Sequence, residues 1–206
     1  MKKILLGIIL LFSIKQQAQS TKTLKLLDDI KNEWSVDDNG NVTYIRIIET
    51  GDLSKDEVYN RAQAYFTYKY NDGDSVMQIN EKSNGVIVGK GLYKKVYTGS
   101  GFMDVISTDV WHILRIDIKE GKARILLTMS EYITNQTICD LKGNCTTNKR
   151  QSVISSQYPI NPKGSRKTIM GKTFVELNKL AKVSLDGIEK AVKEGNTSKQ
   201  LENSNW

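Results

Sequence analysis

The strongest constraint on the fold is an alternation of apolar and polar residues in FMDVISTDVWHILRIDIK, residues 102–119. Its even positions carry aliphatic side chains, namely Ile106, Val110, Leu114, Ile116 and Ile118. Because successive side chains of a strand point to opposite faces, this spacing predicts a strand that buries one face. The turn sequence KEGK then leads into ARILLTMSEYI, which predicts an antiparallel neighbour.

The one histidine of the chain, His112, falls on the apolar face of that strand, next to Leu114. In the following strand, Leu127 and Met129 lie on the apolar face. A lone histidine among aliphatic residues is more often a hydrogen-bonded core residue than a catalyst. We therefore expect His112 in the core, and a role in lining a pocket stays open.

The stretch GDLSKDEVYNRAQAYF, residues 51–66, predicts a helix and not a reaction centre. Ser54 precedes Glu57 by three positions, which is the spacing of a capping box, and Leu53 and Val58 can pack across the first turn. Acidic residues at the start of a helix are also favoured by its dipole. No nucleophile or set of metal ligands accompanies these charges, so catalysis here is disfavoured.

A long helix is predicted near the end of the chain. Its apolar residues recur every three or four positions, which gives one continuous stripe: Met170, Phe174, Leu177, Ala181, Ser184, Ile188 and Val192. Either Asn161-Pro162 or Ser165 is expected to begin it. Such a stripe needs a sheet to cover it.

The order of these elements predicts an α+β fold. We expect a curled antiparallel sheet of about five strands, in the order β-α-β-β-β-β-α, with the long C-terminal helix packed on one face. A cleft between sheet and helix would suit a small apolar ligand. By the apolar faces, its lining would be His112, Leu114, Leu127, Met129, Phe174 and Leu177.

The first residues, MKKILLGIILLFSIKQQAQS, have the layout of a secretory signal peptide, assigned to residues 1–18. The apolar run is shorter than the roughly 20 residues that span a bilayer, so we expect no transmembrane segment. The product would be an exported protein, periplasmic or extracellular and soluble after cleavage. Residues 19–195 would form one domain, with an insertion at 135–164 and a polar tail at 196–206.

Two cysteines, Cys139 and Cys145, flank a Lys-Gly-Asn turn. In an exported protein, a pair this close predicts a disulfide across a hairpin. Zinc is the competing interpretation, but with a single histidine a four-ligand site would need distant carboxylates. We therefore expect no metal site and no cofactor.

Basic residues are concentrated between Leu141 and Lys172, where there are seven and no acid. The simpler interpretation is a solvated basic loop. The alternative is a patch for an anionic surface or partner, with Lys149, Arg150, Arg166 and Lys167 as its candidate residues.

Gly89 and Gly91, in VIVGKGLY, lack the third glycine of a dinucleotide-binding loop. Two glycines on one face of a strand instead predict a bend or the close approach of another element.

Three segments together resemble a known family: NGNVTYIRIIETGDLSKDEVYNRAQAYF, INEKSNGVIVGKG and WHILRIDIKEGKARI. They are similar to the exported bacterial family called domain of unknown function 4468, over about residues 33–134. The resemblance implies a TATA-binding-protein-like fold, also describable as helix-grip-like. The cysteine-bearing segment lies outside the family pattern.

Function is less constrained than fold, because a fold does not by itself confer an activity. We expect no nucleic-acid partner, since an exported protein does not meet chromosomal DNA and the basic segment lacks interleaved aromatic residues for stacking. The leading hypothesis is a non-enzymatic binding module of the cell envelope that uses the cleft. The alternative is a module that binds another envelope protein through the open face of the sheet or the basic insertion. An enzyme comes third.

Overall fold

The structure is a computed structural model that describes residues 21–70, 76–100 and 103–195. The predicted signal peptide and polar tail lie outside these residues. In chain order the helices and strands are α1 (Thr21–Asp29), β1 (Ser35–Val36), β2 (Val42–Glu49), α2 (Lys55–Lys69), β3 (Met77–Glu81), β4 (Val86–Ser100), β5 (Asp104–Lys119), β6 (Lys122–Cys139), β7 (Cys145–Val153) and α3 (Lys167–Glu194). A short 3-10 turn, Ile154–Ser156, follows β7.

All strands join one antiparallel sheet in the order β1-β2-β6-β5-β4-β3, and β7 also pairs with β6. The predicted α+β order is confirmed, but the sheet has seven strands instead of about five. β6 is long enough to hold two neighbours on one side: β2 along residues 122–129 and β7 along residues 131–139. Residues 135–139 of the predicted insertion therefore complete β6, and β7 adds to the same sheet.

The alternation that predicted β5 is confirmed. Its even-numbered aliphatic residues are all buried, and so are the facing Ile125, Leu127 and Met129 of β6. The pairing shifts by one residue between Trp111 and His112, so that Tyr132 faces Val110 on the buried side. This bulge changes which positions of β6 point into the core.

The long helix α3 lies on the same face of the sheet. Every residue of its predicted apolar stripe is buried. Phe174 packs edge-to-face against Trp34, with ring centroids 5.1 Å apart. No helix in the described ranges is long and apolar enough to cross a membrane.

The predicted start of α3 was wrong. The helix begins at Lys167, and Arg166 precedes it with a left-handed φ of 53° and no side-chain cap. Asn161 and Pro162 lie in a separate turn, where the Asn161 amide donates to the Gln157 carbonyl and the Gly164 amide donates to the Asn161 carbonyl, and Ser165 follows this turn without capping the helix. That turn satisfies its own backbone groups, so it does not lead directly into a helix.

The two glycines of β4 are sites of close approach, as predicted. A Cβ added at Gly89 would overlap the ring of Phe66 from α2, and one added at Gly91 would lie 2.7 Å from the His112 ring. The absence of side chains at these positions lets α2 and the His112 ring lie directly on the sheet.

The Ser54 cap of α2 is present, because its hydroxyl accepts from the Glu57 amide at 3.2 Å. The Glu57 carboxylate does not complete the box and instead accepts from Arg61 at 2.5 Å.

Replacing Ser54 by Ala should lower the free energy of unfolding by about 1 kcal/mol, because it removes the acceptor for that amide. Urea unfolding of the Ser54→Ala and Ser54→Asp chains measures this. The Asp variant restores an acceptor and should keep most of the stability, whereas equal losses in both would contradict the role of the cap.

Candidate functional site

The six residues predicted to line a cleft meet between the sheet and α3, but they are closed off from solvent. Each is at most 1% exposed. They contribute to one continuous hydrophobic core together with α2. The predicted open cleft is therefore not present at these residues, because their side chains pack against each other.

His112 sits in this core among polar groups of three other elements. Its Nε2 atom lies 2.9 Å from the Tyr70 hydroxyl, at the end of α2. The Tyr93 ring from β4 stacks on the imidazole with centroids 4.0 Å apart. The Tyr93 hydroxyl is in turn 2.6 Å from the Ser184 hydroxyl of α3.

Burial determines the charge of this cluster. It lowers the pKa of His112 to about 4, so the imidazole is neutral at pH 7. Burial raises the pKa of Tyr93 to about 12, against the opposing effect of the Ser184 hydrogen bond. The imidazole of His112 and the phenol of Tyr93 are therefore both uncharged at pH 7.

Two more phenols lie in the same layer. Burial raises the pKa of Tyr132 and of Tyr44, and the nearby Glu33 and Tyr93 add to the shift at Tyr44. Neither hydroxyl has a hydrogen-bond partner among the described residues, and neither does Nδ1 of His112. These groups make the core more polar than its aliphatic strands predict.

The opposite face of the sheet carries no helix in the described part of the chain. Ile45 and Ile47 of β2 point outward there and are 58% and 62% exposed. Beside them, Asp117 accepts from Arg115 at 2.8 Å and from Arg124 at 2.7 Å. Burial opposes the ionisation of Asp117, but these hydrogen bonds outweigh it and lower its pKa. Asp117, Arg115 and Arg124 on this face are thus paired with one another.

The predicted disulfide is confirmed: Cys139 and Cys145 are bonded and close the hairpin of β6 and β7. The turn is held further by Asp140, whose carboxylate accepts from the amides of Lys142 and Asn144 at 2.8 and 2.9 Å. Every residue of β7 except Ser152 is exposed.

The four candidate basic residues lie around this hairpin, and we call them the basic hairpin end. Arg150 pairs with Thr134, and Arg166 donates to Gln136 Oε1 at 2.9 Å. Residues 134 and 136 share one face of β6, so Arg150 and Arg166 lie on the same side. Lys149 alternates to the other face, and the Lys167 ammonium is 5.9 Å from the Tyr158 ring centroid.

Sequence reasoning missed the partners of His112, since Tyr70, Tyr93 and Ser184 meet it only through tertiary packing. It also missed the exposed isoleucines. The run YIRII places aliphatic residues on both faces of β2. This pattern could have indicated that the face with Ile45 and Ile47 is exposed.

Residues 44–132 match the family described as "Domain of unknown function (DUF4468) with TBP-like fold". The resemblance to DUF4468 is confirmed. A DUF4468 family protein of Bacteroides ovatus has a similar structure, with a TM-score of 0.55 and 12% identity over 81% of this chain and 94% of that chain. A TBP-like protein of Parabacteroides distasonis gives a TM-score of 0.51 and 15% identity over 75% and 96% of the two chains. At these identities the likeness concerns the fold alone. No curated protein matches the chain.

The DUF4468 match covers α2, β3, β4, β5 and most of β2 and β6, and it ends at residue 132. All four residues of the basic hairpin end lie beyond it. The family match therefore does not cover the hairpin or α3.

Proposed function

We propose that this chain is a non-enzymatic binding module, exported from the cell, that binds an acidic protein partner through the basic hairpin end. The observation that supports this most directly is the exposure of Lys149 and Arg150 on a cross-linked hairpin. No carboxylate in the described ranges forms an ion pair with either side chain. The segment 141–172 contains no acid that could neutralise them.

The other candidate surfaces support binding less well. His112 is buried and neutral, with Tyr44 and Tyr132 buried in the same layer, which favours a structural role for these residues. On the open face of the sheet, Asp117 already pairs with Arg115 and Arg124. Unpaired cations lose little on meeting an acidic partner, because no existing ion pair has to be broken.

Export is supported by two observations. The first residues have the layout of a signal peptide. A disulfide such as Cys139–Cys145 persists in oxidising compartments and is rare in the bacterial cytosol. The partner would accordingly be another protein of the envelope or the extracellular space.

The double variant Lys149→Glu/Arg150→Glu should lose binding to an acidic probe. We expect fluorescein-labelled poly-L-glutamate to bind the wild-type chain at low salt and the variant at least about tenfold more weakly, read by fluorescence anisotropy. The reason is that both cations of β7 become repulsive.

A control of equal net charge separates this site from general electrostatics. Lys25→Glu/Lys190→Glu changes two exposed lysines, on α1 and on the solvent side of α3. This variant should keep nearly wild-type affinity. Equal losses in the two double variants would refute a specific site at the hairpin, and so would the absence of any binding.

A further inference from the structure

The outer edge of β7 is a strand edge without a neighbour among the described residues. β7 pairs only with β6, and the sheet order places no strand on its other side. The strand has nine residues, so its edge is long enough to accept a further strand. An open edge of this kind can bind an extended peptide through main-chain hydrogen bonds.

The pairing register identifies the residues whose backbone groups point to this edge. Cys139 and Cys145 face each other with Cα atoms 4.0 Å apart, as expected for a non-hydrogen-bonded pair. The Cys139 amide instead donates to Met103, on the β5 side, and the Asp140 amide donates to the Asn144 carbonyl. The N–H and C=O groups of every second residue, starting at Cys145, therefore point away from β6. These residues are Cys145, Thr147, Lys149, Gln151 and Val153.

The charges at this edge select the kind of strand that can pair with it. Lys149 projects on one face and Arg150 on the other, and Arg166 lies on the Arg150 side. A second copy of this chain that paired with the charged centre of β7 in register would place the same cations opposite each other, and like charges directly across a strand pair are unfavourable. A strand with acidic residues on both faces is complementary.

We propose that β7 is an acceptor strand: an extended acidic segment of the partner protein adds to the sheet along the outward N–H and C=O groups of Thr147, Lys149 and Gln151. This inference rests on the proposed function and specifies its mode of binding. The disulfide contributes by holding β7 in register with β6 before the partner arrives, which reduces the ordering cost of binding.

Two peptides of equal charge test this mode. One, the Glu-Thr peptide, has the length of β7 and repeats Glu-Glu-Thr-Thr, which places Glu on both faces of a strand, and the other repeats Glu-Glu-Pro-Pro. In either register the second has prolines among the residues that face β7, and these lack the amide hydrogen that a complete ladder needs. We expect the Glu-Thr peptide to bind at least about tenfold more tightly, which corresponds to 1.4 kcal/mol. Equal affinities of the two peptides would overturn strand addition and leave the proposed function standing. Strand addition would also be overturned if poly-L-glutamate bound and the Glu-Thr peptide did not.

Amide hydrogen exchange locates the binding edge. With the Glu-Thr peptide bound, the amides of Thr147, Lys149 and Gln151 should exchange at least about tenfold more slowly, since they gain acceptors. The amides of Thr146 and Asn148 already donate to β6 and should change less. Slowing confined to β3, the opposite edge of the sheet, would refute the assignment.

A backbone variant tests the same edge from the protein side. Thr147→Pro removes one outward N–H and no bond of the β6–β7 ladder, so the Glu-Thr peptide should bind about tenfold more weakly. Thr147→Val also loses the hydroxyl contact with Thr137 but keeps the amide, and it should bind as the wild type does. Equal affinities of the two variants would overturn the proposal. The peptide comparison decides if Thr147→Pro fails to fold.

Discussion

Replacing Phe174 by Ala should lower the free energy of unfolding by about 3–5 kcal/mol, the range for deleting a fully buried aromatic side chain. Phe174 is completely buried, and it meets the sheet on one side and the Trp34 ring on the other. The cavity would open at the centre of the contact between α3 and the sheet, where backbone on both sides is held by regular hydrogen bonds and can move little. Urea unfolding followed by circular dichroism measures the loss.

Val183→Ala is the matched control, since Val183 lies on the solvent side of the same helix and is 59% exposed. This change should alter the stability by at most about 0.5 kcal/mol. A loss below about 1 kcal/mol in Phe174→Ala would contradict the picture of α3 as the cover of the sheet.

The sequence predicted best the elements whose two faces differ most in polarity. β5 has aliphatic side chains on one face and charges on the other, and the α3 stripe repeats through about six turns of helix with few interruptions. In such segments burial decides the local conformation, and the spacing of the apolar residues indicates directly which side chains are buried. The side of β5 on which His112 lies followed from the same alternation.

The elements whose bounds the sequence defined least have no such contrast. β7, CTTNKRQSV, is exposed on both faces, and only its pairing with β6 makes it a strand. β1 is two residues long. The bulge that turns Tyr132 inward depends on how β5 and β6 pair, and the sequence of neither strand alone predicts this pairing.

The candidate site followed the same division. The six predicted cleft residues lie on apolar faces that are buried in the core, and the distance between these faces is set by tertiary packing. Glycines at 89 and 91 let the Phe66 ring of α2 and the His112 ring lie against the sheet, where a Cβ would overlap them. The basic residues were visible as a composition bias, whereas their arrangement on a strand edge required the register of β7.

Lowering the pH from 7 to 5 should reduce the free energy of unfolding by about 2 kcal/mol through His112 alone. Burial lowers its pKa from 6.5 to about 4 in the folded chain. Between these values the unfolded chain binds a proton that the folded chain does not, so acid favours unfolding. This stabilisation is complete above pH 6.5 and is lost as the pH falls towards 4. The total loss is about 3 kcal/mol, because each unit of pKa shift corresponds to 1.36 kcal/mol.

The groups packed around the imidazole do not titrate in this range. Tyr70 and Tyr93 are phenols whose pKa burial raises, and Ser184 carries no charge. Carboxylates with a lowered pKa, such as Glu33 and Asp117, titrate below pH 5, and they are present in both the wild type and the His112 variant. His112→Gln keeps an acceptor for the Tyr70 hydroxyl but cannot be protonated. The loss of unfolding free energy between pH 7 and 5 should therefore be about 2 kcal/mol smaller in this variant than in the wild type. Parallel pH profiles for the wild type and His112→Gln would mean that the imidazole reaches solvent, and that α3 and α2 do not close over it.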